Sequence, residues 1–326
     1  MDKISDILSL FGLGNNYIKT EKINSGHINS TYKIIYSSDE NYILQKINGN
    51  IFKCPEEIMS NIERICDCIK GKVKCPEFKK YKNKNYIIIE NTMWRIYRYI
   101  ENSVCRSSLE DPNEIYEFGK VIGNFHSLTQ NLDATNFYKT IENFHNTNLI
   151  IQNLLKHKNH EYEKEFNFFE EALTYANILS SKNLPQNVTH NDVKCSNVLF
   201  DQRTGKGITL IDFDTVMPGL FIYDFGDGAR SACVTENILD TQKFKAFCTG
   251  YFSCIKPQNA EDYFLGIYCI TAELSARYFK DFLLKENYFS DKTEAQKLSR
   301  SRELISVAKS ITQNKGETLK IIKDFE

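Results

Sequence analysis

The chain has 326 residues, of which 41% are hydrophobic and 25% charged, and its formal net charge at pH 7 is −1. These values are typical of a globular protein with a sizeable core, and they give no reason to expect a nucleic acid or an anionic membrane as a partner. No apolar run approaches the roughly 20 residues of a membrane span, and the N-terminal residues lack a signal-peptide core. We therefore expect a cytoplasmic protein.

The ten cysteines are scattered along the chain. Cys66, Cys68 and Cys75 are close enough in sequence to suggest a metal knuckle, but no fourth ligand is spaced to close such a site. Buried free thiols in a reducing compartment are therefore the better prediction.

The N-terminal third alternates between strands and one main helix. A short helix is predicted from Ile4 to Leu10, followed by strand, small-residue turn and strand over residues 22–36, and by a strand over residues 42–48. The turn can offer backbone N–H groups and hydroxyls to phosphates, although a plain hairpin is the alternative. Its candidate phosphate-binding residues are Ser25, Gly26, His27, Asn29, Ser30 and Thr31. Lys46 alternates with Leu44 and is either a ligand-facing or a solvent-facing lysine.

A helix with one apolar face begins at Pro55 and ends before Gly71. Three further strands are predicted over residues 77–81, 86–89 and 93–100, and they lead into a polar stretch. From Asp111 the chain is mainly helical. Asp111 is the predicted N-cap, with Pro112 at the first position and Glu114 completing a capping box. Later helices are predicted over residues 157–180, 236–254, 259–285 and 293–322.

The polar motif His190-Asn191-Asp192 is followed by Asn197 five positions after Asp192. This is the spacing of the protein-kinase catalytic loop, in which the aspartate accepts the proton of the attacking hydroxyl and the asparagine binds a metal ion. Lys194 lies where that loop often carries a lysine. The motif therefore predicts phosphoryl transfer, with Asp192 as the base and Lys194 offsetting phosphoryl charge.

A short hairpin follows this loop. The apolar runs Val198–Phe200 and Ile208–Ile211 flank a glycine-bearing turn and place Asp212 directly after a buried strand. A carboxylate at Asp212 and an amide oxygen at Asn197 can share a Mg²⁺ ion, which prefers oxygen ligands. Asp214 is either a second metal contact or a structural acid.

With these residues in place, the chain resembles the aminoglycoside-phosphotransferase-like kinases, which act on small molecules, and within them the N-acetylhexosamine 1-kinases. The signatures that carry this resemblance are YILQKIN at residues 42–48, HNDVKCSNVLF at 190–200, IDFDTVMPGL at 211–220 and YDFGD at 223–227. Weaker similarity occurs at residues 143–145 and 298–302. The absence of an A-P-E segment and the presence of Asn191 in place of arginine argue against a protein kinase.

The resemblance implies an α+β, two-lobed protein-kinase-like fold, with a nucleotide-binding lobe over residues 1–101 and a catalytic and substrate-binding lobe over residues 102–326. It implies ATP and Mg²⁺ as cofactors and a small-molecule sugar as acceptor. Lys46 would bind phosphates, paired by a helix glutamate that we leave unassigned. Backbone groups near Tyr97 and Tyr99 would bind adenine.

The acceptor implied by the resemblance is the anomeric hydroxyl of an N-acetylhexosamine. His145, Arg300 and Arg302 are candidate hydrogen-bond donors to the sugar beside Asp192. Both arginines can instead lie on a helix surface and pair with acids such as Glu303. An aminoglycoside, choline, a methylthio-sugar or homoserine as acceptor is the first alternative, and a nucleotide-binding pseudokinase module is the second. The oligomeric state stays open.

Overall fold

The computed structural model describes residues 3–14, 16–23, 29–37, 40–49 and 51–326. The predicted phosphate-binding residues Ser25, Gly26 and His27 lie outside these ranges. Among the described residues, no helix combines the length and the apolar character needed to cross a membrane.

The N-terminal part is built around an antiparallel five-stranded sheet with the strand order β1-β2-β3-β5-β4. Its strands are β1 (Tyr17–Ile23), β2 (Ser30–Tyr36), β3 (Tyr42–Lys46), β4 (Ile87–Ile89) and β5 (Thr92–Arg98). Helix α1 (Lys3–Leu10) packs Ile7 and Leu8 against one face of the sheet, in a core that includes Leu44 and Ile96. Helix α2 (Pro55–Ile69) instead buries Ile58, Ile62 and Ile65 in the larger core that continues into the C-terminal part.

The C-terminal part is mainly helical. Its helices are α3 (Pro112–Thr129), α4 (Thr147–Leu155), α5 (Glu163–Ser181), α6 (Phe221–Ala232), α7 (Thr241–Phe252), α8 (Ala260–Leu284), α9 (Glu294–Gln313) and α10 (Lys315–Lys323). Its short strands are β6 (Ser103–Cys105), β7 (Asn187–Thr189), β8 (Val198–Asp201), β9 (Gly207–Leu210), β10 (Met217–Gly219), β11 (Val234–Thr235) and β12 (Ile238–Leu239). The predicted two-lobed α+β architecture is confirmed.

Helix α8 is the centre of the helical lobe, since it contacts α4, α5, α6, α9 and α10. Its crossing with α6 is especially close: a Cβ atom added at Gly226 would lie 2.7 Å from the carbonyl oxygen of Gly266. Only glycine fits such an approach without moving a backbone. The close crossing holds α6, and with it Asp224 and Asp227, against the centre of the lobe.

Several predicted elements need correction. Residues 77–81 form only isolated bridges, such as Phe78 with Tyr97, rather than a strand. The predicted helix over residues 293–322 is two helices that meet at Asn314, and helices α4 and α6 were not predicted. Asp111 does cap α3, accepting from the Asn113 backbone N–H at 2.9 Å, but Glu114 pairs with Arg106 instead of completing a capping box.

All ten cysteines are free thiols, as predicted, but only Cys195, Cys233, Cys248 and Cys269 are buried. Among the described residues, no group of three or more histidine, cysteine, aspartate or glutamate side chains is arranged to hold a metal ion. The metal-knuckle alternative at Cys66, Cys68 and Cys75 therefore has no support from the structure.

Candidate active site

A cavity of about 760 Å³ lies between the sheet and the helical lobe. Most of the residues predicted for function line it, which brings distant parts of the chain together. These lining residues are Asn29, Thr31, Tyr97, Tyr99, His145, Asp192, Lys194, Asn197, Asp212 and Arg300. Ser30, Lys46, Asp214 and Arg302 do not line it.

Asp192 lies in a loop directly after β7. Its Oδ2 is 2.7 Å from Lys194 Nζ, and the Asn197 side-chain nitrogen donates to the same oxygen at 3.0 Å and to the Asp192 carbonyl at 2.8 Å. Burial alone would raise the pKa of Asp192, but the charge of Lys194 and these hydrogen bonds outweigh it and lower that pKa. Asp192 is therefore held as a carboxylate, which is the form that accepts a proton.

The catalytic loop, residues 190–197, is held from below by a buried carboxylate that the sequence reasoning did not single out. Asp224 accepts from the backbone N–H groups of His190 and Asn191 at 2.7 Å each, and its Oδ2 lies 2.9 Å from His126 Nε2. His126 in turn contacts the Tyr251 hydroxyl at 2.7 Å. Both ring nitrogens of His126 are therefore hydrogen-bonded within the protein. Asp224 lies in the YDFGD signature, which was the available signal for it.

Gly219 of β10 also supports the loop. A Cβ atom at this position would lie 2.3 Å from Thr189 Oγ1 and 2.7 Å from Asn191 Oδ1. These two side chains bond to each other and to the Met217 carbonyl, which ties the loop to β10. The backbone of Asn191 is left-handed, with φ of 64°, a conformation that asparagine tolerates better than most residues.

Asp212 follows β9 in a left-handed conformation, with φ of 65°. Burial and the nearby carboxylates of Asp214 and Asp192 raise its pKa to about 6. None of the described residues donates a hydrogen bond to its side chain. A buried carboxylate that lies close to other carboxylates is a good ligand for a hard cation, because the cation offsets their repulsion. The amide nitrogen of Asn197 donates to Asp192, which leaves the amide oxygen available as a second ligand. The residues therefore fit a divalent metal ion.

Asp214, for which the sequence left a metal contact and a structural acid open, has both carboxylate oxygens bonded within the protein, which favours the structural role. Its Oδ1 lies 2.6 Å from Arg95 Nη1, and its Oδ2 accepts from the Asn29 side chain at 2.6 Å. Both Asp214 and Arg95 are almost fully buried. The carboxylate thus links the sheet to the loop after Asp212, and the side-chain nitrogen of the predicted phosphate ligand Asn29 is used in this link.

The assignment of Lys46 to the phosphates also needs correction. Lys46 is exposed, while its neighbour Gln45 lines the cavity and donates to Thr31 Oγ1 at 3.2 Å. Successive side chains of a strand point to opposite faces, so Lys46 lies on the face away from the cavity. Gln45 Oε1 accepts two hydrogen bonds from Arg95, at 2.9 and 2.7 Å. The helix glutamate expected to pair with Lys46 was left unassigned. Glu63 does not fill this role, because it accepts a hydrogen bond from Asn85 instead.

The side chains of Tyr97 and Tyr99 line the cavity at the end of β5. The backbone N–H of Tyr99 donates to the Asn41 carbonyl at 2.8 Å, and that of Arg98 donates to the Glu77 carbonyl at 3.0 Å. These donors are therefore used within the protein. Burial raises the pKa of the Tyr97 hydroxyl, which keeps it protonated as a hydrogen-bond donor.

The opposite end of the cavity is lined by His145 and by residues of α6, α8 and the α8–α9 loop. Arg300 faces it but also forms an ion pair with Glu303 at 2.7 Å. Arg302 lies outside and pairs with Glu165 at 2.7 Å, so its predicted contact with a sugar was wrong. Arg277, which sequence reasoning missed, lines this end and donates to the Tyr288 hydroxyl at 2.7 Å.

The loop over residues 285–293 supplies an aromatic wall to this end. The ring of Phe289 stacks on Tyr278 with 3.7 Å between centroids. Asp281 accepts from the backbone N–H groups of Tyr288 and Phe289, at 3.2 and 2.7 Å. Buried Lys297 lies 3.3 Å from Asp281 and offsets its charge. The wall is thus anchored to the core rather than free to move as a surface loop.

Residues 19–254 match the sequence profile of a family described as the phosphotransferase enzyme family. Solved structures of similar fold include spectinomycin phosphotransferase with ADP and spectinomycin (TM-score 0.60, 15% identity, covering 95% of this chain and 98% of that one). Another is aminoglycoside 2′-phosphotransferase-IIIa with GDP (TM-score 0.70, 10% identity, covering 96% and 100%).

A third similar structure is a choline/ethanolamine kinase family protein from Mesorhizobium loti (TM-score 0.64, 15% identity, covering 98% of this chain and 97% of that one). These identities are low, so the three structures establish the fold and leave the substrate open.

Proposed function

The chain belongs to the phosphotransferase enzyme family, and from that premise we propose that it transfers the γ-phosphoryl group of ATP to the anomeric hydroxyl of an N-acetylhexosamine. In this proposal residues 1–101 bind the nucleotide, and residues 102–326 carry the catalytic groups and the acceptor site. The cavity between the sheet and the helical lobe supports it, since it is lined by groups suited to both substrates.

Asp192 accepts the proton of the attacking hydroxyl. Its lowered pKa keeps the side chain ionised, and Lys194 at 2.7 Å balances charge next to the transferred group. Catalysis in this reaction class consists mainly of positioning and charge stabilisation. The buried support of the loop by Asp224 serves that requirement, because it fixes the backbone from which Asp192 projects.

Mg²⁺, held by Asp212 and Asn197, would neutralise phosphate charge when the nucleotide binds. On the sheet side, Thr31, Gln45 and Tyr97 line the cavity and offer neutral hydrogen-bonding groups. Ser25, Gly26 and His27, which the sequence predicts to form a turn, remain the proposed backbone contact with the phosphates.

One observation carries the choice of a neutral acceptor: the acids at the acceptor end already have basic side chains as partners. Asp227 pairs with Arg230 at 2.5 Å, Glu273 with His145 at 2.9 Å and Asp291 with Lys292 at 3.1 Å.

Arg277, by contrast, forms no close ion pair with any described residue; its hydrogen bond goes to the Tyr288 hydroxyl, and its charge acts on Glu273. A buried cationic acceptor needs a compensating charge, and this end of the cavity offers it none. A neutral sugar instead finds hydrogen-bond donors and, at Tyr288 and Phe289, aromatic surface for its apolar face.

ADP release across a panel of acceptors tests the proposal. We expect turnover with N-acetylglucosamine or N-acetylgalactosamine and none with kanamycin or choline. The 1-O-methyl glycoside of the active sugar is the matched control, because it keeps every contact except the acceptor hydroxyl. Equal rates for the glycoside and the free sugar would disprove transfer to the anomeric oxygen. Turnover with kanamycin or choline alone would disprove the sugar assignment.

A further inference from the structure

His145 makes two hydrogen bonds that join helix α8 to the catalytic loop. Its Nδ1 lies 2.9 Å from Glu273 Oε1 on α8, and its Nε2 lies 2.9 Å from the backbone carbonyl oxygen of Asn191. The side chain is only 10% exposed, and its backbone is left-handed with φ of 56°. Both ring nitrogens are therefore occupied within the protein, although the sequence suggested His145 as a donor to the sugar.

The two partners determine which protons the ring carries. A backbone carbonyl oxygen can only accept, so Nε2 must bear a hydrogen. Burial alone would raise the pKa of Glu273, but the charge of His145 and the hydrogen bonds from His145 and Thr147 outweigh it and lower that pKa. Glu273 is therefore held as a carboxylate, and both of its oxygens accept, Oε2 from the Thr147 hydroxyl at 2.8 Å. Nδ1 must then bear a hydrogen as well. A neutral imidazole has one N–H group and an imidazolium has two.

We infer that His145 is held as an imidazolium ion, and that in this form it positions the catalytic loop against α8. It is a positioning residue, since it acts on Asp192 through the backbone of Asn191 and needs no contact with either substrate.

The structure shows why this contact matters for Asp192. The Asn191 carbonyl belongs to the peptide bond that leads directly into Asp192, and His145 holds that oxygen. The Asn191 N–H is held from the other side by Asp224 Oδ1 at 2.7 Å. His145 and Asp224, two buried groups from different parts of the chain, thus hold the backbone of Asn191, the residue before the base. The backbone of Asn191 itself is in the sparsely populated left-handed region.

The surroundings of His145 favour the charged form. Burial alone would lower its pKa, but the adjacent Glu273 carboxylate outweighs burial and raises it. Arg277 on α8 opposes this effect, while Asp227 on α6 faces the ring with the opposite charge. The rings of Phe144 and Tyr223 pack beside it and add no charge in the neutral pH range.

The sign of the pH dependence follows from the raised pKa. The imidazolium contribution is complete below the ordinary histidine value of about 6.5 and is lost as the pH rises through the pKa of the folded state. When the His145 ring loses a proton, it loses one of its two N–H donors and the charge that strengthens its hydrogen bond to Glu273.

Nitrogen NMR of the histidine side chains tests the protonation state without any substrate. The His145 signal is assigned by its loss in His145→Gln, with His157→Gln as the matched control, because His157 is exposed in the turn after α4 and does not line the cavity. We expect both ring nitrogens of His145 to be protonated at pH 7 and the ring to titrate above the ordinary histidine value of about 6.5. A His145 ring with one proton at pH 7 would overturn the inference.

The kinetic arm rests on the proposed function and uses whichever acceptor supports turnover. We expect His145→Gln to lower kcat by about 10-fold to 100-fold, the range for misplacing a reacting group by up to about 1 Å, with the KM for ATP little changed. Glu273→Gln should move the alkaline decline of kcat to lower pH, whereas His157→Gln should leave the wild-type profile.

Thermal unfolding of each variant shows that the comparison is between folded proteins. A folded His145→Gln protein with wild-type kcat and the wild-type alkaline decline would contradict the positioning role. Failure of every acceptor would instead count against the proposed function, and the NMR result would still stand.

Discussion

The two walls of the cavity are built differently. The helical wall is fixed by short hydrogen bonds from loop backbone to the buried Asp224, which leaves the Asp212 carboxylate and the Asn197 amide oxygen facing the cavity. The sheet wall is fixed by side chains. Arg95 binds Gln45 and Asp214, so the charge of Arg95 is neutralised within the protein.

This difference shows where charge stabilisation can come from. Lys46 lies on the far face of β3, and Arg95 is neutralised by Asp214. In the described part of the sheet wall, no unpaired cation faces the cavity. The helical wall has Lys194, which is paired with Asp192 but lines the cavity, and it would carry the metal ion that we propose for Asp212 and Asn197. The proposed reaction therefore takes its charge stabilisation mainly from the helical wall, whereas the similarity to protein kinases predicted a contribution from Lys46 on the sheet wall.

The largest expected effect is at the metal position. Asp212→Asn removes the carboxylate that we assign to the metal, and we expect turnover to fall by about 10³-fold or more, because metal charge stabilisation is lost. Excess Mg²⁺ should restore little. The ADP-release assay measures this, with thermal unfolding as the folding control. Full activity in the folded variant would refute the role of the helical wall.

The next effect concerns the stability of the sheet wall. Arg95→Met leaves the buried Asp214 charge without its partner, and we expect the free energy of unfolding to fall by about 3–5 kcal/mol. Adding Asp214→Asn removes the uncompensated charge and should recover part of the loss. Denaturant unfolding of the single and double variants measures both values. Equal stability of Arg95→Met and wild type would mean that the ion pair does not hold the wall.

A smaller effect is expected at the base. Asp192→Asn should lower kcat by about 10²-fold, the lower range for general-base removal, while nucleotide binding persists. Calorimetric titration with ADP, alongside steady-state kinetics, separates the two quantities. Loss of ADP binding together with activity would show that Asp192 acts on the nucleotide rather than on the acceptor.

The smallest effect distinguishes two neighbouring residues of β3. Lys46→Met should leave the KM for ATP within about twofold of wild type, because an exposed side chain on the far face makes no contact with the cavity. Gln45→Met is the matched variant, and it should raise the KM for ATP and destabilise the protein by about 1–3 kcal/mol, since Arg95 loses its acceptor. A large ATP effect for Lys46→Met alone would reverse the assignment of faces.

The contrast between the walls also explains which of the predicted site residues the structure brings together. Asp192, Lys194 and Asn197 lie within six residues, so local loop geometry holds them together, and the β8–β9 hairpin brings Asp212 to the same place. The prediction for Lys46 depended on which face of β3 meets the cavity, and an error of one residue moves a side chain to the opposite face. Strand alternation is visible in the sequence, but which face meets the cavity is decided by packing against α1 and by Arg95.

Predictions for the acceptor end depended on tertiary contacts that sequence spacing does not contain. Arg300 and Arg302 are two positions apart on α9, so they point in different directions, and only Arg300 reaches the cavity. Arg277 was missed because it lies within the long apolar pattern of α8. The partners that neutralise each acid come from separate elements and become visible only in the folded chain.

A crystal structure with a non-hydrolysable ATP analogue and Mg²⁺ tests the central claim most directly. We predict that the metal ion is bound by the Asp212 carboxylate and the Asn197 amide oxygen, that Asp214 stays paired with Arg95, and that Lys46 makes no contact with the phosphates. A structure in which Lys46 binds the phosphates, or in which the metal ion is bound without Asp212, would contradict the account.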